Sequence, residues 1–240
     1  MNLNLSEWTR ADGERFQDLL ESMAVTDKID WTKRIYNTKL PVLAIKIPIL
    51  KKIAREISKG NFLSFLKLNL KKYFENILIN GELISKISDF SLFLKYLDNY
   101  SKNIDNWAHC DVLKFKINNK NKVDFYKLSI DYINSKYTFQ RRIGVLIWFE
   151  FIQDDYIYNI FDNLETLKGE NEYYVNMALA WFVAELFVKR RDLAMQVFED
   201  RVLNDFTINK AISKIRDSYR VTREDKDMLL KYRVKKSDIH

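Results

Sequence analysis

The stretch Ile47-Pro-Ile-Leu-Lys-Lys-Ile-Ala-Arg-Glu-Ile57 decides the fold class. Its apolar residues Ile49, Leu50, Ile53, Ala54 and Ile57 recur at i, i+1, i+4, i+5 and i+8, the 3.6-residue period of an amphipathic helix. Pro48 falls in the first turn, where its missing N–H leaves no bond unmade, and Gly60 follows the end. Lys51, Lys52 and Arg55 take the polar side.

The same grammar recurs outward along the whole chain. Helices are predicted over 6–23, 27–38, 48–58, 62–79, 81–86, 90–99 and 104–116. They continue over 122–135, 139–153, 155–167, 172–189, 191–204, 207–219 and 223–232. No segment alternates apolar and polar residues as a strand would. The 5 Gly and 2 Pro in 240 residues are too few to punctuate a sandwich or barrel. With 47% hydrophobic and 30% charged residues the chain folds rather than staying disordered. The expected class is all-α.

Two segments add a repeat. Gln140-Arg-Arg-Ile-Gly-Val-Leu-Ile-Trp-Phe149 and Asn176-Met-Ala-Leu-Ala-Trp-Phe-Val-Ala184 each run from a polar start into a small-residue apolar helix. They lie one repeat apart, near the ~40 residues of HEAT-type helix pairs. A single solenoid domain over 1–240 is therefore expected, with 1–30 as an N-terminal helical extension. Such stacks offer a concave groove to long partners.

Forty Lys+Arg against 33 Asp+Glu leave a net charge of +7. That charge suits a polyanionic partner, or a lysine-rich solvated surface. The lone Cys110 cannot bridge internally, and no Cys/His cluster has zinc spacing, so neither a metal nor a cofactor is expected. Glu7, Arg10, Asp12 and Glu14 interrupt the start, where a secretory leader needs an apolar run. The most apolar run, Tyr173 to Val188, is broken by Asn176 and Glu185 and falls short of the ~20 residues a bilayer needs. The expectation is a cytoplasmic monomer without a membrane segment.

The richest stretch chemically is Ile104-Asp-Asn-Trp-Ala-His-Cys-Asp-Val-Leu113. Trp107 and Asp111 are four apart, hence one turn apart on one helical face. An indole gains nothing from a carboxylate in packing terms, although an Asp beside a core Trp is also an ordinary structural arrangement.

This stretch resembles the signature helix of the AlkD-like DNA alkylation repair family, HEAT-like-repeat DNA glycosylases that remove N3- and N7-alkylated purines. Arg142 with Ile-Gly-Val-Leu after it resembles the family's helix-start arginine, and Arg141 is its immediate neighbour. Trp181 in Met-Ala-Leu-Ala-Trp-Phe-Val-Ala-Glu resembles the family's third-helix tryptophan. Ala211-Ile-Ser-Lys-Ile-Arg-Asp-Ser-Tyr-Arg-Val221 resembles the closing helix, and Ile47 to Ala54 the early one. The resemblance runs from about Thr32 to Tyr232. Ala44 departs from it, standing where the family commonly has a glycine. Trp107, Arg142 and Trp181 follow one another at 35 and 39 residues, so each step is about one repeat.

The resemblance implies roles. Asp111 would stabilise an oxocarbenium-like sugar and orient water. Trp107 and Trp181 would hold the cationic nucleotide, and Arg142 would grip a phosphate. Arg141, Lys51, Lys52, Lys189, Arg190, Lys210 and Lys214 would track the backbone of double-stranded DNA carrying the alkylated purine. Each has a plainer reading. Trp181 sits in an apolar helix that periodicity assigns to the core, Arg142 could pair with Glu150 or Asp154, and the lysines suit solvated faces. Trp31 and Trp148 read as core, and His109 as a partly buried helix histidine. A non-catalytic scaffold that binds nucleic acid or protein in the same groove remains the alternative to the glycosylase.

Overall fold

The computed structural model describes residues 1–234, and these hold fourteen α-helices and no strand. The chain divides into two compact units, Met1–Lys116 and Ile117–His240.

In the first unit, α1 (Arg10–Ser22) opens with a capping box in which Thr9 and Asp12 satisfy each other's backbone amides. Its Phe16 meets Trp8 and Phe65 edge-on, so residues 1–30 join the core of this unit through a three-ring cluster. Next come α2 (Ile29–Tyr36) and α3 (Ile47–Ile57), the latter with Pro48 in its first turn as the sequence predicts. Leu50, Ile53, Ala54 and Ile57 of α3 are buried, and Lys51, Lys52 and Arg55 are exposed.

The predicted helix over 62–79 is two helices, α4 (Phe62–Lys67) and α5 (Phe74–Ile84). The chain breaks between them at Asn69, which takes the left-handed conformation, while Leu68 and Leu70 turn onto Gly13 of α1. Gly81, predicted to start a separate helix, lies inside α5. A β-carbon there would come within 2.5 Å of Val112 and 2.7 Å of the Tyr100 hydroxyl, so its bare backbone permits the packing. Helix α5 packs against α3, against α6 (Phe90–Ser101), and against α7 (Trp107–Asp111). It is therefore the centre of this unit, and only Glu82 of its eleven residues escapes burial.

The second unit pairs α8 (Lys122–Ile133) with α9 (Thr138–Trp148), joined by a four-residue connection. Gly144 brings the two backbones together, since a β-carbon would lie 2.9 Å from the Ser129 carbonyl. Trp148 is fully buried and donates its indole N–H to the Ser129 hydroxyl at 3.0 Å, as expected of a core tryptophan. After α10 (Tyr156–Leu164) comes α11 (Tyr173–Lys189), which lies between α9 and α13 (Asp205–Asp217) and also touches α12 (Arg191–Glu199). Helices α9, α11 and α13 thus lie side by side, each the later member of a successive helix pair. That is the local grammar of a helical repeat. Helix α14 (Arg223–Met228) follows and packs on α13.

Candidate functional site

In the first unit the site rests on α7, five residues long where the sequence predicted thirteen. Asn106 stops the helix from extending backwards. Its backbone is extended, and its side-chain oxygen accepts from the amides of Ala108 and His109. Its amide nitrogen donates to His109 Nδ1 at 2.9 Å and to Asp105 at 2.8 Å. With Nδ1 accepting, Nε2 carries the proton and donates to the Phe74 carbonyl at 3.2 Å. Tyr100 adds a hydrogen bond to the His109 carbonyl. Asn106 and His109 are wholly buried, so α7 is pinned through its inner face.

His109 is therefore more deeply buried than predicted. Burial pushes its pKa down to about 4, against the opposing pull of Asp105. Burial would raise the Asp105 carboxyl, but hydrogen bonds from Thr38, Asn106 and the Lys39 amide outweigh it and hold the carboxyl below its ordinary value. The outer face of α7 presents Trp107 and Asp111, both half-buried. The Trp107 ring lies 5.5 Å from Tyr36, which lies 4.6 Å from Phe74, which lies 4.8 Å from His109. Reading the sequence missed Tyr36 and Asn106. Asn106 had a visible signal, a capping residue immediately before the Trp107 helix.

In the second unit Trp181 is 38% exposed, although α11 is otherwise buried almost all round. Phe149 supports it edge-on at 4.7 Å. It lines an open cleft of ≈ 450 Å³ with Glu185, Lys214, Asp217, Tyr219 and Arg220. Arg142 is buried, at 5% exposure, and donates to the Tyr174 carbonyl at 2.6 Å, tying α9 to the first turn of α11. Asp154, one of the two carboxylates weighed from the sequence, pairs with Lys122 at 3.2 Å. Arg141 holds Glu170 with two fork nitrogens, at 2.7 and 3.2 Å, and reaches the Ser135 carbonyl with a third.

The remaining predicted contact residues have local partners of their own. Lys51 lies 3.8 Å from Glu82, and Lys52 is exposed on the same helix. Arg190 donates to the Tyr158 hydroxyl and stacks over that ring, and Lys210 lies over Phe206. Lys189 ends α11, and Lys214 lines the Trp181 cleft. Trp31, predicted as core, is 56% exposed: α2 has only Thr32 fully buried, so its indole side faces water.

The family described as DNA alkylation repair enzyme matches residues 16–215, most of the chain. The chain belongs to that family. No functionally curated protein matches it. DNA alkylation repair acts on DNA, and membership makes DNA the partner of this protein. Among the described residues, no helix is long and apolar enough to cross a membrane, and no three His, Cys, Asp or Glu side chains gather as metal ligands. In this family member Trp107 and Asp111 lie in the first unit, and Arg142 and Trp181 in the second.

Proposed function

We propose that this family member is a monofunctional DNA glycosylase that hydrolyses the N-glycosidic bond of N3- or N7-alkylated purines in duplex DNA. It would act as a cytoplasmic monomer. The carrying observation is the Trp107/Asp111 pair on the outer face of a helix whose inner face is locked by Asn106, His109 and Tyr100. A carboxylate carried on so firmly anchored a helix suits electrostatic work, because its support need not reorganise as charge develops.

Alkylation at N3 or N7 makes the purine cationic and a good leaving group. As the C1′–N bond breaks, the bonding electrons go to the purine, which leaves neutral, and positive charge passes to the sugar. Asp111 stabilises that oxocarbenium character and orients a water, whose oxygen bonds to C1′ and whose proton is released. Trp107, backed by Tyr36, and Trp181, backed by Phe149, supply π-faces that attract a cationic base.

The internal engagement of Arg141 and Arg142 supports the second reading, a scaffold that binds DNA without excising anything. One assay separates the two: purified protein incubated with methylated duplex DNA, without added metal or cofactor, and released bases quantified. Release of alkylpurine supports the glycosylase, and binding without release leaves the scaffold.

A further inference from the structure

Tyr219 is 95% exposed, so folding has no use for its ring. Yet it stands on the same cleft as Trp181, where the turn after α13 closes one side. Arg220, its neighbour, is held by both oxygens of Glu185: Nη1 donates to one at 3.0 Å, and Nη2 donates to the other. Glu185 is four residues after Trp181 on α11, so it shares that tryptophan's face. The ion pair fixes the plane of the Arg220 guanidinium while leaving 42% of its side chain open to solvent.

We propose that this cleft is a nucleotide subsite, with Tyr219 as the aromatic wall opposite Trp181, Arg220 as a phosphate contact, and Glu185 as the positioning residue for Arg220. The proposal rests on the DNA-binding reading above and adds three residues to it. Its chemistry fits a nucleotide with a cationic base better than a simple anion. Lys214 and Arg220 are matched by Glu185 and Asp217, so the cleft carries no excess positive charge to draw a bare anion. Two aromatic side chains and a carboxylate suit a positively charged planar base, and the Lys214 and Arg220 cations suit its phosphates. A cleft of ≈ 450 Å³ lies within the range of small-molecule sites. Aromatic platforms beside backbone-tracking cations are a common device for holding unstacked nucleotides.

The test is fluorescence anisotropy with two probes. One is an undamaged duplex, and the other carries a single N7-methylguanine on a 2′-fluorinated sugar that resists hydrolysis. Tyr219→Ala should weaken the damaged probe by about tenfold and the undamaged one little, with Tyr219→Phe at parental affinity. Arg220→Ala should weaken both and reduce the slope of log K against log salt by about 0.9, the loss of one phosphate contact. Glu185→Gln should weaken binding although it removes a negative charge, the opposite of what bulk electrostatics gives. Parental affinity in both Tyr219→Ala and Arg220→Ala would overturn the subsite alone. A parent protein that binds neither probe would overturn the DNA-binding reading and the subsite with it.

Discussion

Ala44 takes a left-handed backbone, φ 58°, between two amides that both donate to the carboxylate of Glu75. Leu43 N lies 3.1 Å from each oxygen and Ile45 N 3.4 Å from one. The loop before α3 thus wraps its N–H groups around a buried anion. Burial raises the Glu75 carboxyl above its ordinary value, and these amides pull the other way. A positive φ is the conformation glycine adopts without steric cost, so this geometry fits the glycine that the resemblance leads one to expect here.

Substitutions at position 44 should follow from that angle. A left-handed alanine costs about 1–2 kcal/mol. Glycine would remove that strain but lose a buried methyl worth ~0.8 kcal/mol and add unfolded-state freedom worth ~0.5–1 kcal/mol. Ala44→Gly should therefore lie within about 1 kcal/mol of the parent in urea unfolding. Ala44→Val, β-branched at positive φ, should lose about 1–3 kcal/mol. Equal stability of the valine variant would contradict the wrapped loop.

Acid should destabilise the first unit through His109. Its folded pKa, about 4, lies below the ~6.5 of an unfolded histidine, so the unfolded chain takes up the proton first. The stabilisation is complete above about pH 6.5 and falls away as pH drops towards 4. Between pH 6.5 and 5 the loss is about 2 kcal/mol. Glu75 acts with the opposite sign, because a raised carboxyl loses stability as pH rises through its folded pKa. Urea unfolding of parent and His109→Gln at both pH values isolates the histidine, and the variant should show a flatter profile.

Arg142 makes a prediction on stability as well as binding. Its guanidinium is buried and bonded to the Tyr174 carbonyl. Arg142→Ala should cost about 2 kcal/mol or more, since hydrogen bonds from charged groups contribute ~1.5–3 kcal/mol. Arg142→Lys should recover only part, lacking the planar fork. Thermal midpoints measured beside DNA affinity separate the roles. Weaker DNA binding at an unchanged midpoint would assign Arg142 to phosphate rather than to the α9–α11 contact.

The pattern of what could be read from the sequence has a physical cause. Amphipathic helices such as α3 announce themselves, because one face is wet and the other dry. Helix α5 does not: all of it but Glu82 is buried, Glu75, Asn76 and Asn80 included, so no stripe marks its start and Gly81 reads as one. Helix α7 starts later than hydrophobic periodicity predicts because a capping side chain, Asn106, sets its N-terminus. Trp31 and Trp181 are the instructive pair. Both sit in helical patterns that assign a tryptophan to the core, and both are exposed. Composition around Trp181 pointed inward because α11 is packed on nearly all sides, and only the resemblance singled it out. The fork partners of Arg141 and Arg220, which lie 29 and 35 residues away, are tertiary facts that no local pattern carries.

Asp111 provides the sharpest test of mechanism. Asp111→Asn keeps the size and hydrogen-bonding reach of the side chain but removes the negative charge facing the developing sugar cation. Its helix is pinned by Asn106, Tyr100 and His109, none of which the substitution touches, so α7 should hold its place. DNA affinity should stay at the parental level or tighten slightly, because a charge that repels phosphate is gone. Excision of alkylpurine should fall by about 10²-fold or more, the scale of losing one well-placed stabilising group. Trp181→Ala gives the complementary pattern, hurting the damaged substrate while undamaged duplex binds as before. Single-turnover base release measured at saturating protein reads the chemical step without the binding term. A folded Asp111→Asn that releases base at the parental rate would remove the carboxylate from the mechanism. Parental protein that also releases none would leave the chain a scaffold that binds DNA through its Trp181 cleft and its basic side chains.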